Sequence, residues 1–140
     1  MAEDTVIIGG EEWPVISRYT RAQALEDGVL VDVTDSAREA GFKVPVVLTR
    51  AVWALVEPTE AETAVDGQDV QGRLWDLLWL ASLAARRGEA GSSELLFSVL
   101  FRLRGRQDVR AGMHKEQLKM HSGPGDDGEH VITIMLPQED

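Results

Sequence analysis

The chain has 140 residues, 44% hydrophobic and 27% charged, a make-up that fits one globular domain, 1–140, with a sizeable core. Its 24 acidic against 14 basic residues give a formal charge of -10, which disfavours direct binding to a nucleic-acid duplex. The absence of cysteine excludes disulfides, thiol nucleophiles and thiolate zinc sites.

The start, MAEDTVIIGGEEW, lacks the basic and long apolar segments of a signal peptide, and no run approaches the ~20 apolar residues of a membrane span. A cytoplasmic protein without membrane contacts is the expectation. In TRAQALEDGVLVDV, Thr20 caps a short helix that Gly28 ends, and Val29 to Val33 then reads as a short strand. TDSAREAGF repeats the pattern, with Thr34 or Asp35 as cap, Glu39 in the following turn and Gly41 as terminator. A third helix starts at Thr49 and stops before Pro58, which cannot continue the hydrogen-bond ladder.

Residues 57–69, EPTEAETAVDGQD, hold five acids and no base. Their mutual repulsion predicts a solvated, mobile connection. The next stretch, VQGRLWDLLWLASLAARRG, is the strongest helix signal, with Asp69 as cap, Arg86 and Arg87 in the last turn and Gly88 closing it. Asp76 is its only charge between Leu74 and Ala85, so the helix belongs at the centre of the fold. Trp75 and Trp79, four apart on one face, are expected in that core.

In ELLFSVLFRLRGR the period changes to two, with Leu95, Phe97, Val99, Phe101 and Leu103 on one face of a strand. KEQLKMHS and EHVITIML read as two further strands, joined by GPGDDG and therefore antiparallel. The expected fold is α+β: short N-terminal helices and one long buried helix, about 70–87, on a C-terminal antiparallel meander of about three strands.

The turn GPGDDG has its own explanation. Pro124 fixes a backbone angle, Gly125 and Gly128 permit positive φ, and Asp126 and Asp127 favour turn geometry. A phosphate cradle would need positive charge or a following helix, and this loop is acidic and enters a strand. His121 beside Asp126, Asp127 and Glu129 is the alternative, a small ligand- or metal-binding or enzymatic site. His114 and His130 sit in no recognisable motif, and no nucleophile elbow, Walker loop or dinucleotide fingerprint occurs. No catalytic residue, metal or cofactor is assigned, and the expectation is a non-enzyme. Arg102, Arg104, Arg106 and Arg110, followed by Lys115 and Lys119, form a basic stretch with two readings. It pairs internally with the acidic segments or is a solvated strand face that discourages edge-to-edge association, which is favoured, or it binds RNA, phosphate or an acidic partner.

The phrases YTRAQALEDGVLVDV, SAREAGFKVPVVLTRAVW, QGRLWDLLWLA and LKMHSGPGDDGEHVITIMLP cover most of the chain from Tyr19 to Asp140. They resemble a small bacterial family of unknown function often associated with phages, plasmids and other mobile elements. The resemblance implies a mobile-element accessory protein and no particular activity. Joined to the acidity, it sets the leading expectation: macromolecular binding, for example inhibition or DNA mimicry directed at a host restriction or CRISPR nuclease. The acidic surface would comprise Glu57, Glu60, Glu62, Asp66, Asp69, Asp126, Asp127 and Glu129, and the partner would be a host protein rather than nucleic acid. An exposed edge strand would allow a homodimer.

Overall fold

A computed structural model describes residues 5–8 and 11–14 as backbone and residues 19–88 and 93–140 in full. Strands β1 (Thr5–Ile8) and β2 (Glu11–Pro14) pair as an antiparallel hairpin, separate from the main sheet. The VII segment thus falls within β1, whereas Val15 and Ile16 of PVI lie outside the described residues.

Helix α1 (Arg21–Glu26) opens with a capping box: Gln23 N donates to Thr20 Oγ1 at 3.1 Å and Thr20 N to Gln23 Oε1 at 2.9 Å. Gly28, at φ +74°, turns the chain into β3 (Leu30–Asp32). Helix α2 (Thr34–Glu39) begins one residue earlier than the sequence suggests. Its N-cap is Val33, which offers no side-chain acceptor, and Asp32 Oδ1 accepts from Thr34 N at 3.0 Å instead. Strand β4 (Val46–Thr49) leads to α3 (Arg50–Val56), where Thr49 Oγ1 accepts from Val52 N.

The acidic connection is not an open loop. Thr59 and Glu62 form a capping box that starts a one-turn helix, α4 (Glu60–Ala64). The long helix α5 (Val70–Arg87) starts at Asp69, whose Oδ1 accepts from Gly72 N at 2.7 Å, and carries Arg86 and Arg87 in its last turn. Strands β5 (Glu94–Leu103), β6 (Gly112–Pro124) and β7 (His130–Met135) complete the fold.

The expected meander is present as β5-β6-β7, and it is part of a larger mixed sheet in the order β3-β4-β7-β6-β5. The additional pairs are β4 parallel to β7 and β3 antiparallel to β4. Val46, Val47 and Leu48 are buried on both faces of the sheet, as a parallel interior strand requires. Phe97, Val99, Phe101 and Leu103 on β5 join Leu118, Met120, Ile132 and Ile134 on one face. Leu74, Leu77, Leu78 and Ala81 of α5 cover that face, with Val52 and Val56 of α3 and Ala37 of α2 beside them.

Trp75 and Trp79 do not enter this core. They stack on each other on the outer side of α5, centroids 5.8 Å apart at 16°, and are 43% and 41% exposed. The core stripe of α5 runs through Leu74, Leu77, Leu78 and Ala81, and positions 75 and 79 fall off that stripe.

Candidate functional site

Strand alternation gives β6 and β7 a second face, away from α5. Register places Thr133 of β7, His121 of β6 and Glu94 of β5 side by side on it, and Met135, Lys119 and Leu96 in the next row. Above these strands lies a groove of about 600 Å³, floored by Val131, Thr133 and Met135 and edged by Arg21, Arg50, Lys119 and His121 together with the acidic Glu94, Glu139 and Asp140.

Each polar wall of the groove has a structural reason for its position. Arg21, the first residue of α1, reaches across so that its guanidinium donates to Thr133 Oγ1 at 3.1 Å and to the Ile132 carbonyl at 3.4 Å. Partial burial lowers the Arg21 pKa from its ordinary value, opposed by the charges of Asp126, Glu129 and Asp32. Lys119 Nζ donates to the Glu139 carbonyl at 2.6 Å. The Glu139 carboxylate accepts from Thr49 Oγ1 and from Leu136 N, each at 2.8 Å, which holds the C-terminal segment along the groove's rim.

The GPGDDG turn supports this face. Gly125 N donates to the Glu129 carbonyl at 2.6 Å, Gly128 N to the Gly125 carbonyl at 3.1 Å, and Gly128 takes φ +83°. Asp126 then leaves the turn and caps α1, accepting from Arg21 N at 2.9 Å and Ala22 N at 3.0 Å. The loop therefore positions Arg21, and Gly123 and Pro124 line the groove beside His121.

The eight acidic candidates have different fates. Glu62 is wholly buried and Asp66 nearly so, which takes both off any outer surface, whereas Asp69, which caps α5, and Asp126, which caps α1, are at exposed positions. Glu57 accepts from Trp53 Nε1 at 2.9 Å, and Glu129 Oε2 accepts from Asp127 N at 3.0 Å. Glu57, Glu60, Asp127 and Glu129 are at exposed positions.

The basic candidates largely meet those acids. Arg106 grips Glu62 with two bonds, Nε to Oε2 and Nη2 to Oε1, both 2.9 Å. Arg73 Nη1 lies 3.1 Å from Glu62 Oε1, and the backbone N–H groups of Thr59 and Arg104 donate to the same carboxylate at 3.0 and 2.6 Å. Arg73 and Arg106 also cap α3: Nη1 of Arg73 donates to the Leu55 carbonyl at 2.8 Å and Nη1 of Arg106 to the Ala54 carbonyl at 2.7 Å. Burial by itself would raise the Glu62 carboxyl, but the Arg106 guanidinium and these N–H donors outweigh it and hold its pKa at about 2.

Arg104 pairs with Asp66 through Nε and Nη2 at 3.0 and 3.2 Å, and that bond raises the guanidinium pKa. Arg102 and Arg110 remain exposed, and the Arg110 carbonyl contacts His114 Nε2. His130 hydrogen-bonds Ser122 Oγ rather than joining His121. Among the described residues no three His, Asp or Glu side chains converge to hold a metal ion.

Arg73, Arg21 and Thr133 were missing from the sequence candidates, whereas Lys119 belonged to the basic stretch. Arg73 carried a signal, a basic residue at the threshold of the longest apolar run. Arg21 and Thr133 meet across 112 positions of sequence and carried none. A family model described as a family of unknown function (DUF6573) matches residues 10–140. No curated protein and no solved structure matches the chain.

Proposed function

The chain belongs to DUF6573, a family of unknown function, over residues 10–140, and from that premise we propose that it is a binding domain for a small anionic molecule. The groove opposite α5 is its site. The observation that carries this reading is the convergence of Arg21, His121 and Lys119 around one apolar-floored groove of about 600 Å³, the size and character of a small-molecule site. Arg21 and Thr133 would orient a carboxylate or phosphate, Lys119 would add charge from the neighbouring row, and Val131 and Met135 would bury the rest. Titration with inorganic phosphate, pyrophosphate and citrate, followed by amide chemical shifts, tests it. Shifts centred on His121 and Thr133 that vanish in Lys119→Met and His121→Ala are expected; shifts scattered over the surface, or none, would sink the reading.

A second reading rests on the charge of -10 and on Glu57, Glu60, Asp127 and Glu129 at exposed positions. An acidic surface of this kind would bind a basic host macromolecule, as an inhibitor from a mobile element would. Reversing Glu60, Asp127 and Glu129 together leaves the buried cluster alone. Capture from a bacterial lysate that is salt-sensitive in the wild type and abolished by that triple change would favour it over the groove.

A further inference from the structure

Strand β5 lies at one end of the sheet, and among the described residues no strand pairs with its outer edge, although at its C-terminal end Arg73 donates to the Arg102 carbonyl. Edges of this length are ordinarily blunted by a proline, a bulge or a charge. Leu95–Phe101, LLFSVLF, has none of the three. Leu96 and Leu100 are 57% and 59% exposed on the groove side of the sheet. On the other side, Trp79 and Leu80 of α5 flank an open trough of about 510 Å³ along Ser98 and Val99. An edge so apolar and so ready to hydrogen-bond calls for a cover.

The sequence of the edge specifies which cover. ELLFSVLFR, residues 94–102, is nearly self-complementary about Ser98. Laid antiparallel on a second copy with Ser98 facing Ser98, it sets Glu94 against Arg102, Leu95 against Phe101, Leu96 against Leu100 and Phe97 against Val99. The two-fold axis then makes two Glu–Arg pairs and two leucine pairs from one strand.

The hydrogen-bonding phase agrees. Ser122 N donates to the Ser93 carbonyl, so odd-numbered residues of β5 bond to β6 and the even-numbered ones face outward; the Arg102 carbonyl already accepts from Arg73, and Leu96, Ser98 and Leu100 present their N–H and C=O groups to the edge. The register centred on Ser98 joins the outward backbone groups of Leu96, Ser98 and Leu100 to those of the second copy and brings the Arg102 side chain across from Glu94. Shifting the centre by one residue keeps the ladder but separates Glu94 from Arg102.

We propose that the protein is a two-fold homodimer in which β5 pairs antiparallel with β5 of a second copy about Ser98, fusing two five-stranded sheets into one. Arg102 of the second copy then lies across from Glu94, in the same row as His121 and Thr133, and extends the groove. The dimer does not depend on what the groove binds.

Sedimentation of the full-length chain over a range of concentrations, with amide hydrogen exchange, tests the pairing. The wild type should have twice the 15.4 kDa chain mass, with Leu96, Ser98 and Leu100 amides protected although they face away from β6. Arg102→Glu sets like charges opposite each other twice and should weaken association at least about tenfold and unprotect those amides. The swap Glu94→Arg with Arg102→Glu should restore both. Ser98→Pro removes an outward N–H without touching the β6 ladder and should also give monomers. A monomeric wild type, or a dimer indifferent to Arg102→Glu and Ser98→Pro, overturns the proposal; in those cases the edge is covered by another segment or another protein. Each variant is accepted only with the wild-type circular dichroism spectrum, so that dissociation is separated from unfolding.

Discussion

Replacing Glu62 by glutamine keeps the shape of the side chain and removes the anion on which α4, α5 and the β5–β6 connection converge. Two arginines, 4% and 18% exposed at the side chain, would face a neutral amide whose NH₂ cannot accept the bonds now made by a carboxylate oxygen. Breaking one partner out of a buried ion pair costs roughly 3–5 kcal/mol. The lowered pKa leads to a similar figure, because a carboxyl moved from 4.5 to about 2 contributes about 3 kcal/mol at 1.36 kcal/mol per unit. An unfolding entropy of about 0.3 kcal/mol/K for a domain of this length converts 3–5 kcal/mol into a fall in Tm of roughly 10–17 °C. The sign of the pH dependence follows. The folded pKa lies below the unfolded one, so the stabilisation is complete above about pH 5 and is lost as pH falls towards 2. Urea unfolding of wild type and Glu62→Gln from pH 7 down to the acid limit should show a gap that closes over that window. A gap below about 1 kcal/mol at pH 7, or one that stays constant to low pH, would refute the view that Glu62 is an ionised keystone.

The neighbouring pair offers a contrast: Arg104 is 39% exposed at the side chain, so Asp66→Asn should cost less than Glu62→Gln, as chemical denaturation would read out. Asp126→Ala removes the acceptor for two N–H groups of α1 and should cost about 1 kcal/mol, with faster hydrogen exchange at Arg21 and Ala22; unchanged exchange there would contradict the cap. Leu48→Ala, in the interior strand and fully buried, should destabilise by about 2–5 kcal/mol in the same denaturation assay. Gly41→Ala places a side chain at φ +111° and within 3.0 Å of the Arg86 guanidinium, and a measurable loss of Tm is expected.

Local signals carried most of the element boundaries. The caps at Thr20, Thr49 and Asp69, the positive-φ glycines 28 and 41, and the period-two run of β5 are short-range statements about backbone and side-chain geometry, and each stands where the sequence puts it. The failures occur where a long-range contact outweighs the local pattern. The repulsion among the acids of 57–69 predicts a loose segment, yet Glu62 and Asp66 are drawn inward by Arg73, Arg104 and Arg106 from elsewhere in the chain. The internal pairing favoured for the basic stretch is what Arg104 and Arg106 display, and it removes both from an outer basic surface. Trp75 and Trp79 show the converse, since their spacing sets them on one face but not which face meets the sheet.

The groove was legible in part. His121 and the GPGDDG turn were visible as a histidine next to a tight turn, because glycine and proline chemistry is written locally. That Asp126 reaches from this turn to the start of α1, and thereby sets Arg21 over Thr133, depends on chain segments more than a hundred residues apart. By itself, then, the sequence determined the α+β class, most of the helix caps and the strand periodicity, because these follow from the preferences of neighbouring residues. Only the tertiary structure decided that β4 inserts beside β7, that half the acidic candidates become caps and buried ligands for arginine, and that among the described residues no strand pairs with the outer edge of β5. Those outcomes depend on which distant segments pack together, and competition among long-range contacts is not encoded in any one stretch.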